Sequence, residues 1–311
     1  MKTAQRVALV TTLATLLLVA VGVLVRATGS GLGCPDWPTC HGGVVPPGDL
    51  GHQPIIEFSH RFVAASVGLL VIATAAYAWR YYRGVPAVLW TAILVVPMVM
   101  AQGLLGAITV WRELPPEIVA THLLTAMVIL SMEAFVVVGM YRADPERGAA
   151  FAGTRWPRGG RVALLSLATF AVLLWIGGYM SESGASTACS GWPLCNGSVV
   201  PAADEHEVVH MLHRYIAAAF ALPLGWLLLL LWQSRSDRAW ATASAILIGG
   251  LYLVQVAVGA LNVWYDFPDP LTISHTTIAA TIWLTLSFSL ALSLFYPAVH
   301  AQAPSASAVT A

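Results

Sequence analysis

Apolar positions in this chain come in long runs broken by short polar stretches, and the run from Phe62 to Trp79 holds no charged residue at all. Eight such runs, at about 7–26, 57–79, 86–110, 118–141, 161–180, 207–232, 239–264 and 271–296, can each cross a hydrocarbon layer of about 30 Å as a helix. Inside hydrocarbon a segment of this length satisfies its own backbone only as a helix. The first run exceeds the roughly 7–15 apolar residues of a signal peptide, lacks a small-residue cleavage site and ends at Arg26, so it reads as a retained helix.

Composition points the same way, with 58% apolar and 10% charged residues against about 45–50% and 25% in soluble proteins. Little chain remains for a soluble domain. Lys2, Arg6, Arg80, Arg83, Arg142, Arg147, Arg155, Arg158, Arg161, Arg235 and Arg238 precede the first run or follow the second, fourth and sixth. Asp36, Asp49, Glu113, Glu117, Glu182, Asp204, Glu205, Asp266 and Asp269 gather on the opposite side. Basic residues favour the inner face, so both termini are expected in the cytoplasm of a cell with this protein in its plasma membrane.

The chain also repeats itself. An offset of 153 lays QGLLGAITVWRELP (102–115) on QVAVGALNVWYDFP (255–268), HRFVAAS (60–66) on HRYIAAA (213–219), and His122 on His275. An offset of 155 lays Cys34, Trp37, Pro38 and Cys40 on Cys189, Trp192, Pro193 and Cys195. The expected fold is an all-α integral membrane protein of eight transmembrane helices, arranged as two tandem-duplicated four-helix bundles in parallel topology. Residues 1–141 form the first half and 161–297 the second. A cytoplasmic linker, 142–160, joins them, and 298–311 has the composition of a disordered tail.

Nine histidines are present, yet only His60, His122, His213 and His275 recur at equivalent places, near the outer ends of even-numbered helices. Ionisable residues within a membrane segment are costly and mark functional interiors. Zinc takes four ligands, or three and water, whereas two imidazoles from facing helices suit the axial positions of a haem iron in a bundle. One haem per half is the expectation. Arg61 and Arg214 directly follow His60 and His213 and are candidate partners for porphyrin propionates; an i,i+4 ion pair between Glu57 and Arg61 is the other reading. Glu57 shares a helix face with His60, whereas His210 precedes His213. A carboxylate beside one haem only would mean one half doing chemistry and the other holding a permanent cofactor, unless Glu57 merely caps the helix.

Each outer loop holds two cysteines around a Trp-Pro pair. Cysteines confined to an extracytoplasmic face point to disulfides, Cys34–Cys40 and Cys189–Cys195. A metal site using Cys40 and His41, or a reversible dithiol in the first loop, stays open.

EFSHR (57–61) with His122, HMLHR (210–214) with His275, and the loops GLGCPDWPTC and ACSGWPLC together resemble the haem A synthase family, over nearly the whole chain up to about Pro297. The resemblance implies an oxidoreductase that converts the C8 methyl of haem O to a formyl group, by two hydroxylations and loss of water, for cytochrome c oxidase assembly. It implies that His60 and His122 hold the substrate haem O. Glu57 would stabilise positive charge or move protons at the methyl, and His213 and His275 would hold a resident haem b that relays electrons. Cys34 and Cys40 match a pair linked to activity, while Cys189 and Cys195 look structural. A haem O synthase would supply substrate, and lipid or an interhelical groove shaped by Gly103, Gly106 and Gly259 would take the isoprenoid tail; the electron donor is left open. From the residues alone, two rivals stand. A di-haem b, quinol-oxidising electron-transfer protein needs the four histidines but not Glu57. A haem transporter would use parallel repeats, although the even helices lack a matching Gly/Pro-broken pair.

Overall fold

The computed structural model describes residues 1–46, 51–143, 157–234 and 239–295. Most of the expected linker (144–156), the tail 298–311, and Asp49, Arg147, Arg155, Arg235 and Arg238 lie outside them.

Among the described residues the chain is all helical, with eight helices long and apolar enough to cross a membrane. They are α1 (Lys2–Ala27), α2 (His52–Tyr81), α3 (Pro86–Trp111), α4 (Pro116–Arg142), α5 (Arg158–Glu182), α6 (Glu205–Gln233), α7 (Ala239–Trp264) and α8 (Asp269–Phe295). Helices α1 and α2 both start five residues ahead of their apolar runs, α2 at His52 rather than Glu57 (57 − 52 = 5). Gly51, at φ 82°, turns the chain into this helix. Pro54 then sits in the first turn, where its missing N–H leaves no bond unmade. Glu57 is therefore more than a turn inside the helix and does not cap it. At the matching place Asp204 does cap α6, accepting from the backbone N–H groups of His206 (3.0 Å) and Glu207 (3.1 Å).

Helices α1 to α4 pack as a ring in which α1 and α3 each touch both α2 and α4; α5 to α8 repeat the pattern, with α5 and α7 each touching α6 and α8. The histidine-bearing helices α2 and α4 thus stand diagonally, as do α6 and α8. Across the centre α4 packs on α5 and α8, and α1 packs on α8. Helices α4 and α8 are the most enclosed, while side chains such as Leu69, Met100, Leu222 and Leu253 are more than two-thirds exposed, as lipid-facing residues are. The central seam is polar at one point. Trp283 Nε1 on α8 donates to Met127 O (2.6 Å) and lies 2.8 Å from Ser131 Oγ, which is 2.8 Å from Ser287 Oγ.

Candidate haem sites

Each of the four repeated histidines meets a glycine of a neighbouring helix. A Cβ at Gly22 would stand 3.0 Å from His60 Cε1, at Gly106 3.2 Å from His122, at Gly177 3.0 Å from His213, and at Gly259 3.1 Å from His275. Those distances are shorter than ordinary carbon contacts, so only glycine leaves these rings where they are. The sequence suggested Gly106 and Gly259 as points of close helix approach; in the structure they make room for imidazoles, and Gly103 has nothing within 4 Å of a built Cβ. Gly22 and Gly177 went unnoticed, although they recur at the offset of 155.

The four rings are only half-buried, yet the Nδ1 of each is buried without a partner. Their accessible edge is therefore away from Nδ1. His60 and His122 lie against glycines of α1 and α3, the two helices that separate α2 from α4, and His213 and His275 lie likewise against α5 and α7. Diagonal helices thus carry one imidazole pair in each bundle. Gln102 Nε2 on α3 fixes the backbone of α4 by donating to His122 O at 2.8 Å.

The two cysteine-bearing loops are closed by disulfides, Cys34–Cys40 and Cys189–Cys195. All four thiols are used, which removes the Cys40–His41 metal reading; His41 Nε2 lies 2.9 Å from Gly33 O. The two loops share further detail. Cys40 bridges Gly43 and Cys195 bridges Ser198; Trp37 meets Trp111 edge-on at 6.0 Å, and Trp192 meets Trp264 at 6.1 Å.

Both arginines considered as propionate partners are engaged by these loops. Arg61 donates to the carbonyls of Cys34 (2.9 Å), Asp36 (2.7 Å) and Thr39 (2.6 Å), and pairs with Glu57. Arg214 donates to Gly191 (2.8 Å), Pro193 (3.0 Å) and Leu194 (3.1 Å). The reason is that a tight loop without regular structure leaves carbonyls that need donors, and a guanidinium supplies five. Glu57, 4% exposed, also accepts from the Cys34 N–H at 2.8 Å. In the second half His210 stands in its place, with Nε2 2.9 Å from Arg214 Nη2 and Nδ1 3.1 Å from Ala185 O. A guanidinium only donates, so Nε2 accepts and the ring proton is on Nδ1. The halves therefore share a loop-holding arginine and differ in its partner, an acid in one and a neutral imidazole in the other.

The match to the family described as cytochrome oxidase assembly protein covers residues 5–287. The chain belongs to that family. Within it the chain is 33% identical to a protein named heme A synthase from Shouchella clausii, over 93% of this chain and 96% of that one. It is likewise 33% identical to a heme A synthase from Symbiobacterium thermophilum (94% and 96% covered) and 29% identical to one from Shewanella oneidensis (89% and 92%). Family membership and the eight long apolar helices together make this a multi-pass membrane protein.

Proposed function

We propose that the chain is a haem A synthase, oxidising the C8 methyl of haem O to a formyl group by successive hydroxylations for cytochrome c oxidase assembly. One observation carries the reading most: four half-buried imidazoles, in two pairs on diagonal helices, each lying against a glycine. On this reading His60 and His122 hold the substrate haem O and His213 and His275 a resident haem b. A bound haem supplies redox chemistry at its iron that no side chain of this chain provides.

The chain's own residues position and shield. The glycines let the rings come to the bundle interior. Arg61 and Arg214 hold the disulfide loops over the outer ends of the bundles. Glu57 lies one turn before His60 on the same face, fixed by the Cys34 N–H and Arg61, and is the group placed to accept a proton or balance positive charge at the reacting edge. The isoprenoid tail is taken by lipid or the apolar helix faces, a haem O synthase supplies the substrate, and both termini lie in the cytoplasm with the loops outside the plasma membrane.

A di-haem b, quinol-oxidising electron-transfer protein is the second reading, favoured by the commitment of Glu57 to its loop. Expression beside a haem O synthase, in a host that makes no haem A, separates them. Mass spectrometry of the extracted porphyrins is expected to find hydroxylated and formyl products. A folded, haem-loaded protein that yields neither contradicts the synthase.

A further inference from the structure

Glu133 is a buried acid for which the proposed reaction has no use. It stands on α4 eleven residues after His122 (133 − 122 = 11), about 16 Å further along the helix. It is 5% exposed, and no basic group among the described residues pairs with it. Its Oε1 lies 3.0 Å from Thr15 Oγ1 on α1, and its Oε2 has no partner.

Thr15 Oγ1 donates towards Glu133 Oε1 and lies equally 3.0 Å from Thr11 O. A hydroxyl carries one hydrogen, so the acid has at most a shared donor, too little to hold a buried carboxylate ionised.

Towards the ends of the bundle marked by Lys2, Tyr81, Pro86 and Arg142, Glu133 borders a cavity lined also by Ala8, Thr11, Thr74 and Ala92. Val71, Val95 and Val136 complete its lining, so the space beside the acid is apolar and offers no ion or base to its carboxyl group. Thr11 Oγ1 and Thr74 Oγ1 lie 2.9 Å apart on its wall. No other ionisable side chain lines it. Lys2, Arg6, Arg80 and Arg142, on the helices around it, are exposed at helix ends; α3 carries no charged residue, and Asp269 and His275 stand at the far end of α8. At the repeat offsets the second half has Phe170 for Thr15, Leu227 for Thr74 and Leu286 for Glu133, all buried. Thr11 alone keeps a hydroxyl counterpart, Ser166, so the acid and its Thr15 partner belong only to the half that carries Glu57.

We propose that Glu133 is a proton-holding site of the N-terminal half, kept as a neutral carboxylic acid by its burial and by the lack of a basic partner around it. The inference does not depend on haem O oxidation.

Infrared spectroscopy of the full chain in lipid nanodiscs tests it. The expected spectrum has a protonated-carboxyl C=O band that is lost in Glu133→Gln, persists in Glu57→Gln and is displaced in Thr15→Val, which keeps the acid but removes its partner. If Glu133→Gln does not fold, the displacement in Thr15→Val carries the test. A carboxyl band unchanged in Glu133→Gln, or unmoved in Thr15→Val, overturns the assignment.

Discussion

Gly22 on α1 lies against the imidazole of His60 on α2, so closely that a methyl group there would stand 3.0 Å from Cε1. Gly177 bears the same relation to His213. Overpacking of this kind costs about 1–3 kcal/mol, roughly 5- to 150-fold in affinity for whatever the ring holds. Gly22→Ala is therefore expected to weaken haem binding at the N-terminal site and spare the C-terminal one, with Gly177→Ala doing the reverse. Haem titrations of the two variants, followed by absorption, measure both.

Glu57→His installs in the first half the residue that the second half uses at the same place. Because His210 holds Arg214, the introduced imidazole is expected to keep Arg61 and the disulfide loop seated, with both haems bound. What it removes is the acid. General acid–base groups contribute about 10²–10⁴-fold, so haem O conversion is expected to fall by at least about a hundredfold, read from extracted porphyrins.

Asp36 anchors the first loop outside the membrane helices, and hydrogen bonds hold its carboxyl at about 2, below an ordinary 3.8. The Thr39 hydroxyl is the main cause, followed by the N–H groups of Gly42 and His41. A lowered folded-state value stabilises the loop above the unfolded value, and that contribution disappears as pH falls through the folded one. Loop order, followed by Trp37 fluorescence, is expected to hold down to about pH 4 and to be lost towards pH 2. In Asp36→Asn this acid step should be absent.

Trp283→Phe removes the indole N–H that ties α8 to Met127 O and Ser131 of α4 while keeping most of the ring. Hydrogen bonds between membrane helices are worth about 0.6–2 kcal/mol. Thermal unfolding in detergent is expected to show a loss of that size, with the four histidines still able to bind haem.

How much of this was legible in the sequence varied with the physics involved. The eight helices were readable because hydrocarbon forces a run such as Phe62–Trp79 to satisfy its own backbone. The start of α2 was not, since charge at Glu57 looked like a boundary while Gly51 and Pro54 set the real one. His60, His122, His213 and His275 stood out because the repeat preserves them. The Glu57–Arg61 pair was readable from its i,i+4 spacing and is present, whereas the loop carbonyls that Arg61 and Arg214 also hold lie 20–27 residues away, a tertiary fact. The meaning of Gly22 likewise depends on the ring opposite it. Glu133 carried a readable signal, an acid inside a membrane run, but that it has no basic partner and only Thr15 beside it is a tertiary fact.

The most direct test of the divided roles of the two halves is the identity of the porphyrin bound to purified protein from cells that supply haem O, determined by mass spectrometry for four variants. Predicted is that His60→Ala or His122→Ala retains haem b and neither binds nor converts haem O, while His213→Ala or His275→Ala loses the haem b. Loss of haem b on changing His60 or His122, with haem O still converted, would contradict the assignment.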